Sequence, residues 1–312
     1  MESPALILDV RGLSVSFRGG NHVQAVENVD LSVWEGDHLC IVGETGSGKS
    51  ILLLAMLRLL SGDAQVTGDV LYRGESLFRM PQKRLDEVRG GLISYIPQGS
   101  GNGMNPLLKV GFQVGEPLMA HCGLKRRDAQ RRSVDLLRRF HLQREEAVAR
   151  QYPFALSGGM RQRAMIAMGV AADAEALLAD EPTKGLDERR VRLVEESFRS
   201  LRKQTIVCVT HDLNFARSVA ARVGVMYAAN LVEIADKEAF YREPLHPYSR
   251  DMLMAMPENG LRFNPGFAPS HDEYALQGCK YCARCGDRSE QCKNIPPMVD
   301  VDGRRVRCWK YA

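Results

Sequence analysis

The stretch GETGSGKS, residues 43–50, sets the architecture around it. It fits G-x-x-x-x-G-K-S, a loop whose glycines let backbone N–H groups wrap phosphates without side-chain obstruction. Before it, HLCIVG is a short, nearly all-apolar run, as expected for a strand buried on both faces. After it, SILLLAMLRLL has helical length. Strand, glycine-rich turn and helix thus follow in the order the loop needs, and the helix beginning near Lys49 aims the positive end of its dipole at the phosphates. Gly43, Glu44, Thr45, Gly46, Ser47, Gly48, Lys49 and Ser50 form the expected cradle. Lys49 supplies a point charge for the β- and γ-phosphates of a nucleotide, and Ser50 offers a hydroxyl to Mg²⁺.

Downstream, EALLADEP ends an apolar run in Asp180 and Glu181. An Asp at the carboxyl end of a buried strand can hold the Mg²⁺ shell. The adjacent Glu181 is placed to polarise an attacking water as general base. QTIVCVTHD reads as a further buried strand, LILDVRGLSVSF and AVENVDLSVWEGD alternate as half-buried strands do, and RVGVMYAANLVEIAD reads as strand, turn, strand. Residues 125–150 are charged but periodic. Val134, Leu137 and Phe140 recur three apart, which predicts a solvated amphipathic helix and no nucleic-acid role. The fold class is α/β, and without an internal repeat the chain has one nucleotide-binding unit.

Composition bounds the function. The 312 residues are 45% hydrophobic and 26% charged, ordinary for a globular chain, and the net charge of +4 gives no footing for nucleic-acid or membrane-surface binding. No run of about 18 uncharged apolar residues occurs, so no transmembrane helix is expected. MESPALILDVRG carries an acidic residue where a signal peptide has basic ones, and its apolar run is short, which predicts a cytoplasmic location. Five of the eight cysteines fall between Cys279 and Cys308. In a reducing compartment such clustering favours metal binding over disulfides. Cys40 and Cys208 sit in apolar strands as small hydrophobes, and neither they nor Cys122 need chemistry.

The chain resembles the ATP-binding cassette (ABC) ATPases over roughly residues 6–235. The resemblance rests on GETGSGKS, Gln98 in ISYIPQ, LSGGMRQR (Leu156 to Arg163), LLADEP, GLD ending at Asp187, and VTHD with His211, all in the family's order. It implies a P-loop ABC-type nucleotide-binding domain over residues 1–255, with a RecA-like core and a helical subdomain at about 99–175. It implies ATP and Mg²⁺ as ligands, with Ser50, Gln98 and Asp180 serving the metal. Glu181, His211 and Gln98 are the implied catalytic residues. Ser157, Gly158 and Gly159 would open a helix facing the γ-phosphate of ATP on a second subunit, and Asp187 would couple the two sites. Phe17 is the candidate for stacking on adenine. The loop after Gln98, PQGSGNGMNP, usually meets the membrane partner in this family and is unusually Gly-rich here.

The absence of fused membrane helices, a long coiled coil or a second cassette leaves a separate ATPase subunit that docks on membrane permeases. YREPLHPYSRDMLMAMP, residues 241–257, looks like the segment after the cassette in the peptide/nickel group of importer ATPases. That likeness implies uptake of di- or oligopeptides, nickel or a metallophore. Its implied partners are a second, different ATPase subunit, two integral-membrane permeases and, indirectly, an extracytoplasmic substrate-binding protein. The chain would sit peripherally on the cytoplasmic face of the inner membrane. The alternative is an ATPase subunit of a soluble non-transport assembly, like the cassette proteins associated with phosphonate breakdown.

Residues 256–312 are the expected Cys-rich extension. QGCKYCARCGDRSEQC, residues 277–292, and RVRCW resemble the extension of the same importer group. Its cysteine pattern maps onto Cys279, Cys285, Cys292 and Cys308 as ligands of a 4Fe–4S cluster, placed ahead of Zn²⁺. Cys282 is then surplus. A ferredoxin-like reading of CKYCARC would choose Cys279, Cys282 and Cys285 instead. Either group would pin a small segment with little core of its own.

Overall fold

A computed structural model describes residues 4–17, 23–99, 103–201, 204–262, 264–269 and 278–312. In chain order, β1 (Leu6–Phe17), β2 (Val23–Trp34) and β3 (His38–Val42) precede α1 (Lys49–Met56). Then come β4 (Ala64–Tyr72), the short β5 (Glu75–Ser76), α2 (Gln82–Gly91) and β6 (Ile93–Ile96). The helices α3 (Val110–His121), α4 (Arg126–Arg139), α5 (Glu145–Arg150) and α6 (Gly158–Gly169) follow. They lead to β7 (Ala176–Asp180), α7 (Glu188–Arg199), β8 (Thr205–Thr210) and α8 (Leu213–Val219). The last part holds β9 (Arg222–Tyr227), β10 (Asn230–Asp236), α9 (Lys237–Arg242), α10 (Pro247–Met254), β11 (Met298–Val301) and β12 (Arg304–Arg307).

The chain divides into two compact units. One comprises Leu6–Val33, Leu39–Phe78 and Val209–Ala312. Its antiparallel layer has the order β2-β1-β4-β5, with β1 and β4 in register from Leu8↔Tyr72 to Phe17↔Ala64 across a bulge between Arg11 and Ser14. Alternation in β1 and β2 puts Leu13, Val15, Val29, Leu31 and Val33 inside. The second layer of this unit runs β11-β12-β10-β9-β3. Within it β3 and β9 are parallel, Leu39↔Arg222 to Val42↔Val225, while β9, β10, β12 and β11 are successively antiparallel. HLCIV has Leu39 to Val42 buried, as its apolar run predicts. α1 buries Leu52, Leu53, Ala55 and Met56.

The other unit comprises Trp34–His38 and Arg79–Cys208 with the first residues of the chain. Here β6 and β7 are parallel, Ile93↔Ala176 to Ile96↔Ala179, and every residue of β7 is buried. The helices α3, α4, α5 and α6 pack on one another. In α4 the buried face is Ala129, Ser133, Leu136 and Leu137, continued by Phe140, while Val134 is half-buried. The three-residue spacing expected from Val134 drifts off the face, because a 3.6-residue period aligns positions four, seven and eight apart with Ala129.

The proline-rich stretch from Arg242 onward reads as irregular in sequence, yet it contains α10. Pro247 sits in the first turn, where a missing N–H costs nothing, and the His246 side chain accepts the Tyr248 N–H at 3.1 Å. Among the described residues no helix is long and apolar enough to cross a membrane. Phe140, at the C-terminal end of α4, is fully buried, so Phe140→Ala is expected to lower unfolding stability by about 3–5 kcal/mol in a urea titration.

Candidate functional site

The phosphate loop leaves β3 at Val42 and re-enters regular structure at Lys49. Two of its glycines are dictated by close approach. A Cβ on Gly43 would lie 2.1 Å from the Met226 carbonyl oxygen, and one on Gly48 would lie 2.0 Å from that of Ala25. Gly48 also has φ of 101°, in the left-handed region. The buried Lys49 ammonium donates to the carbonyls of Gly43 and Glu44, both at 2.8 Å, and lies 3.4 Å from Ser47 Oγ. The Ser47 N–H donates to the Glu44 carbonyl at 3.2 Å, and the Ala229 N–H donates to the Ser47 carbonyl at 3.1 Å. The loop is thus a closed ring of backbone groups around one cation at the start of α1, an arrangement suited to a polyphosphate. Phe17 ends β1 opposite Ala64 and is half-buried. His211 is exposed just past β8, and Asp212 caps α8 by accepting the Phe215 N–H at 3.0 Å.

The remaining sequence candidates lie in the other unit. Asp180 and Glu181 are both buried at the end of β7. The Tyr95 hydroxyl, on neighbouring β6, donates to Asp180 Oδ2 at 3.3 Å. Burial, then the Asp180 charge and this hydrogen bond, push the Tyr95 phenol well above its ordinary range. Glu181 has φ of 46°, a left-handed value costly for a residue with a Cβ and typical of functional positions. Gln98 is exposed two residues past β6, and residues 100–102 of the Gly-rich segment after it lie outside the described residues.

Ser157 caps α6, its hydroxyl accepting the Met160 N–H at 3.3 Å. A Cβ on Gly159 would lie 2.7 Å from Arg190 Cδ, so glycine lets α7 approach. Arg190 in turn pairs with Asp187 at 3.2 Å, and Asp187 caps α7 by accepting the Arg190 N–H at 3.0 Å. The structure therefore joins the LSGG stretch to Asp187 through one arginine, a link that no motif announces.

In the extension, Cys279, Cys285, Cys292 and Cys308 line one cavity of about 300 Å³, and Cys282 is not among its lining residues. Burial pushes the Cys279 thiol up to about 12, offset in part by a backbone hydrogen bond at Tyr281. Burial likewise raises the Cys285 and Cys308 thiols. A group holding these sulfurs as thiolates must bring positive charge with it. Among the described residues, no three His, Cys, Asp or Glu side chains are gathered closely enough to hold a single metal ion.

Three residues of this unit were not found by sequence reasoning. Tyr248 accepts the Glu44 N–H at 3.1 Å, Arg284 pairs with the Glu44 carboxylate at 3.1 Å, and Lys280 binds Glu27 and the Ala228 carbonyl. Their partners are more than fifty residues away in the chain, and no local pattern marks them.

The family described as ABC transporter matches residues 26–184. The family described as the oligopeptide/dipeptide transporter C-terminal region matches residues 232–292. A putative peptide import ATP-binding protein of Brucella abortus is 36% identical over 97% of this chain and 95% of its own length. The dipeptide transport ATP-binding protein DppD of Bacillus subtilis is 35% identical over 97% of this chain and 94% of its own. The oligopeptide transport ATP-binding protein AppD of the same organism is 34% identical over 98% and 97%. Among solved structures, the dimeric ATP-binding cassette MJ0796 bound to ADP and Pi superposes with a TM-score of 0.67 and 26% identity, covering 74% of this chain and 98% of that one.

Replacing Gly48 by alanine sets a methyl group against the Ala25 carbonyl. Gly48→Ala is expected to weaken ATP binding by roughly tenfold or more in equilibrium titration, with the rest of the unit still folded by circular dichroism.

Proposed function

The chain belongs to the ABC transporter family and is an ATP-binding, ATP-hydrolysing subunit of a peptide importer, and from that premise we propose how its residues and partners divide the work. The single observation behind this reading is that a cassette and an oligopeptide/dipeptide C-terminal region occur together in one chain. The second match also weighs against a soluble non-transport assembly. The names of the relatives favour di- and oligopeptides as cargo over nickel or a metallophore.

The phosphate loop and Lys49 hold the β- and γ-phosphates, while Ser50, Asp180 and Gln98 serve Mg²⁺. Glu181 takes the proton of the attacking water and His211 fixes the γ-phosphate. Phe17 stacks on adenine. Ser157, Gly158 and Gly159, at the N-terminus of α6, face the nucleotide of a second cassette, to which Asp187 couples the site. What supports this is the buried Asp180–Glu181 pair at the end of β7 and the Ser157 cap of α6. The second cassette is a different ATPase subunit. Nucleotide-driven closure of the pair moves two membrane permeases, fed by an extracytoplasmic binding protein, and the chain sits on the cytoplasmic face of the membrane through them. A Glu181→Gln protein is expected to bind ATP normally and to lose about 10²-fold or more of its hydrolysis rate. In cells it should abolish uptake of labelled dipeptide. Normal hydrolysis by this variant would overturn the catalytic assignment.

For the extension, four cysteines around one cavity fit a thiolate-bound group, with Cys279, Cys285, Cys292 and Cys308 as its ligands. The likeness of the cysteine pattern to the importer group's extension is what favours a 4Fe–4S cluster over Zn²⁺. Such a group supplies cross-links that hold the segment as a unit. Anaerobically purified protein is expected to be brown and to contain about four iron and four sulfide per chain. A colourless protein with one zinc would overturn the choice.

A further inference from the structure

The cysteine-rich extension touches the phosphate loop directly through Glu44 and, one step removed, braces the turn that bonds Ser47, and the transport cycle described above uses neither contact. On one side the contact runs through Glu44, the second residue of the loop. Its N–H donates to the Tyr248 hydroxyl at 3.1 Å, its carbonyl accepts from Lys49 Nζ at 2.8 Å, and its carboxylate pairs with Arg284 at 3.1 Å. Every polar group of Glu44 is therefore engaged. Arg284 comes from CARC and is itself held in place. Its guanidinium lies over the rings of Tyr227 and Tyr281, 5.8 and 5.5 Å from their centroids. Its backbone carbonyl accepts from Asn264 Nδ2 at 2.7 Å, and that amide also binds Asp251 and the Tyr281 hydroxyl. Tyr227, Tyr248 and Tyr281 pack against one another with centroids 4.5–5.4 Å apart.

On the other side, Lys280 from CKYC binds the Glu27 carboxylate and donates to the Ala228 carbonyl at 2.9 Å. The next residue, Ala229, donates its N–H to the Ser47 carbonyl at 3.1 Å. Ala228 and Ala229 both have left-handed φ, 46° and 70°, a turn that costs energy for residues with a Cβ and persists only when its surroundings hold it. Lys280 is one of the groups holding it.

We propose that Arg284 and Tyr248 are positioning residues of the phosphate loop, acting through Glu44, and that the cysteine-rich extension thereby sets how tightly the loop takes nucleotide. The physical reason is charge and shape together. Glu44 carries a carboxylate at the rim of a loop that must accept a polyphosphate, and Arg284 neutralises that carboxylate and holds it to the side. Tyr248 fixes the direction of the Glu44 peptide, and with it the carbonyl that Lys49 grips. Because Arg284 lies between Cys282 and the cavity-lining Cys285, its position follows the conformation of the cysteine segment. This inference rests on the reading of the loop as the ATP site.

The test is a double-mutant cycle on the full-length chain, with ATP affinity by equilibrium titration and steady-state KM and kcat. Arg284→Ala is expected to raise the Kd and KM for ATP about threefold or more while kcat stays within about twofold, because positioning of the loop acts on binding. Arg284→Lys should recover most of the affinity. In a Glu44→Gln background, the further effect of Arg284→Ala should shrink below about twofold, since the charge it manages is gone. An equal shift in both backgrounds would show that Arg284 does not act through Glu44 and would overturn the proposal. So would an unchanged KM in Arg284→Ala, or a loss of affinity in Arg284→Lys as large as in Arg284→Ala. A wild-type chain that bound no ATP would overturn the reading of the loop itself, whereas wild-type binding without an Arg284 effect overturns this inference alone.

Discussion

Two backbone carbonyls, of Ala25 and Met226, stand where a Cβ on Gly48 or Gly43 would have to go. That contact is the constraint on which the phosphate-loop unit depends. It presses the loop against β2 and β9 and leaves its inner wall as bare backbone. Lys49 then closes the ring by bonding the Gly43 and Glu44 carbonyls. A buried ammonium is stable only with such acceptors, so the lysine both needs and fixes the loop's shape. The nearly all-apolar β3 and the buried face of α1 hold the two ends of the ring at fixed distance.

The extension is built on a different principle. It has few regular elements and little apolar core, and it gains definition from aromatic stacking and charge. Tyr281 enters the core beside Tyr227 and Tyr248, its hydroxyl bonded to Asp251. β12 adds to β10 with Glu233↔Val306 in register, and Arg307 reaches the Leu231 and Asn28 carbonyls. These contacts tie the segment to β2, β9 and β10, of which the loop lies against β2 and β9, so a segment distant in sequence becomes part of the loop's environment.

Much of the site was legible because its chemistry is local. GETGSGKS and the buried LLAD run ending in Asp180 each need only a few neighbouring residues to take shape, and each does so in the structure, whereas the helix start at LSGG was expected only from the resemblance to the family. Periodicity was less reliable. In α4 the three-residue spacing of Val134, Leu137 and Phe140 named two of the buried residues and missed Ala129, Ser133 and Leu136, because the helical period is not three. The prolines after Arg242 hid α10, since a proline in the first turn starts a helix as readily as it breaks one further in.

By itself, the sequence determined the α/β class, the nucleotide loop, the strand-end carboxylates and the presence of a clustered thiol segment, because each is written in contiguous residues whose spacing has a direct physical meaning. Only the tertiary structure showed that Cys279, Cys285, Cys292 and Cys308 line one cavity, that Arg190 joins Gly159 to Asp187, that Tyr248 and Arg284 hold Glu44 of the phosphate loop, and that Lys280 braces the turn at Ala228 beside it. Those pairings join residues far apart in the chain. They exist because strand pairing and aromatic packing bring the segments together, and no local propensity encodes where such segments meet.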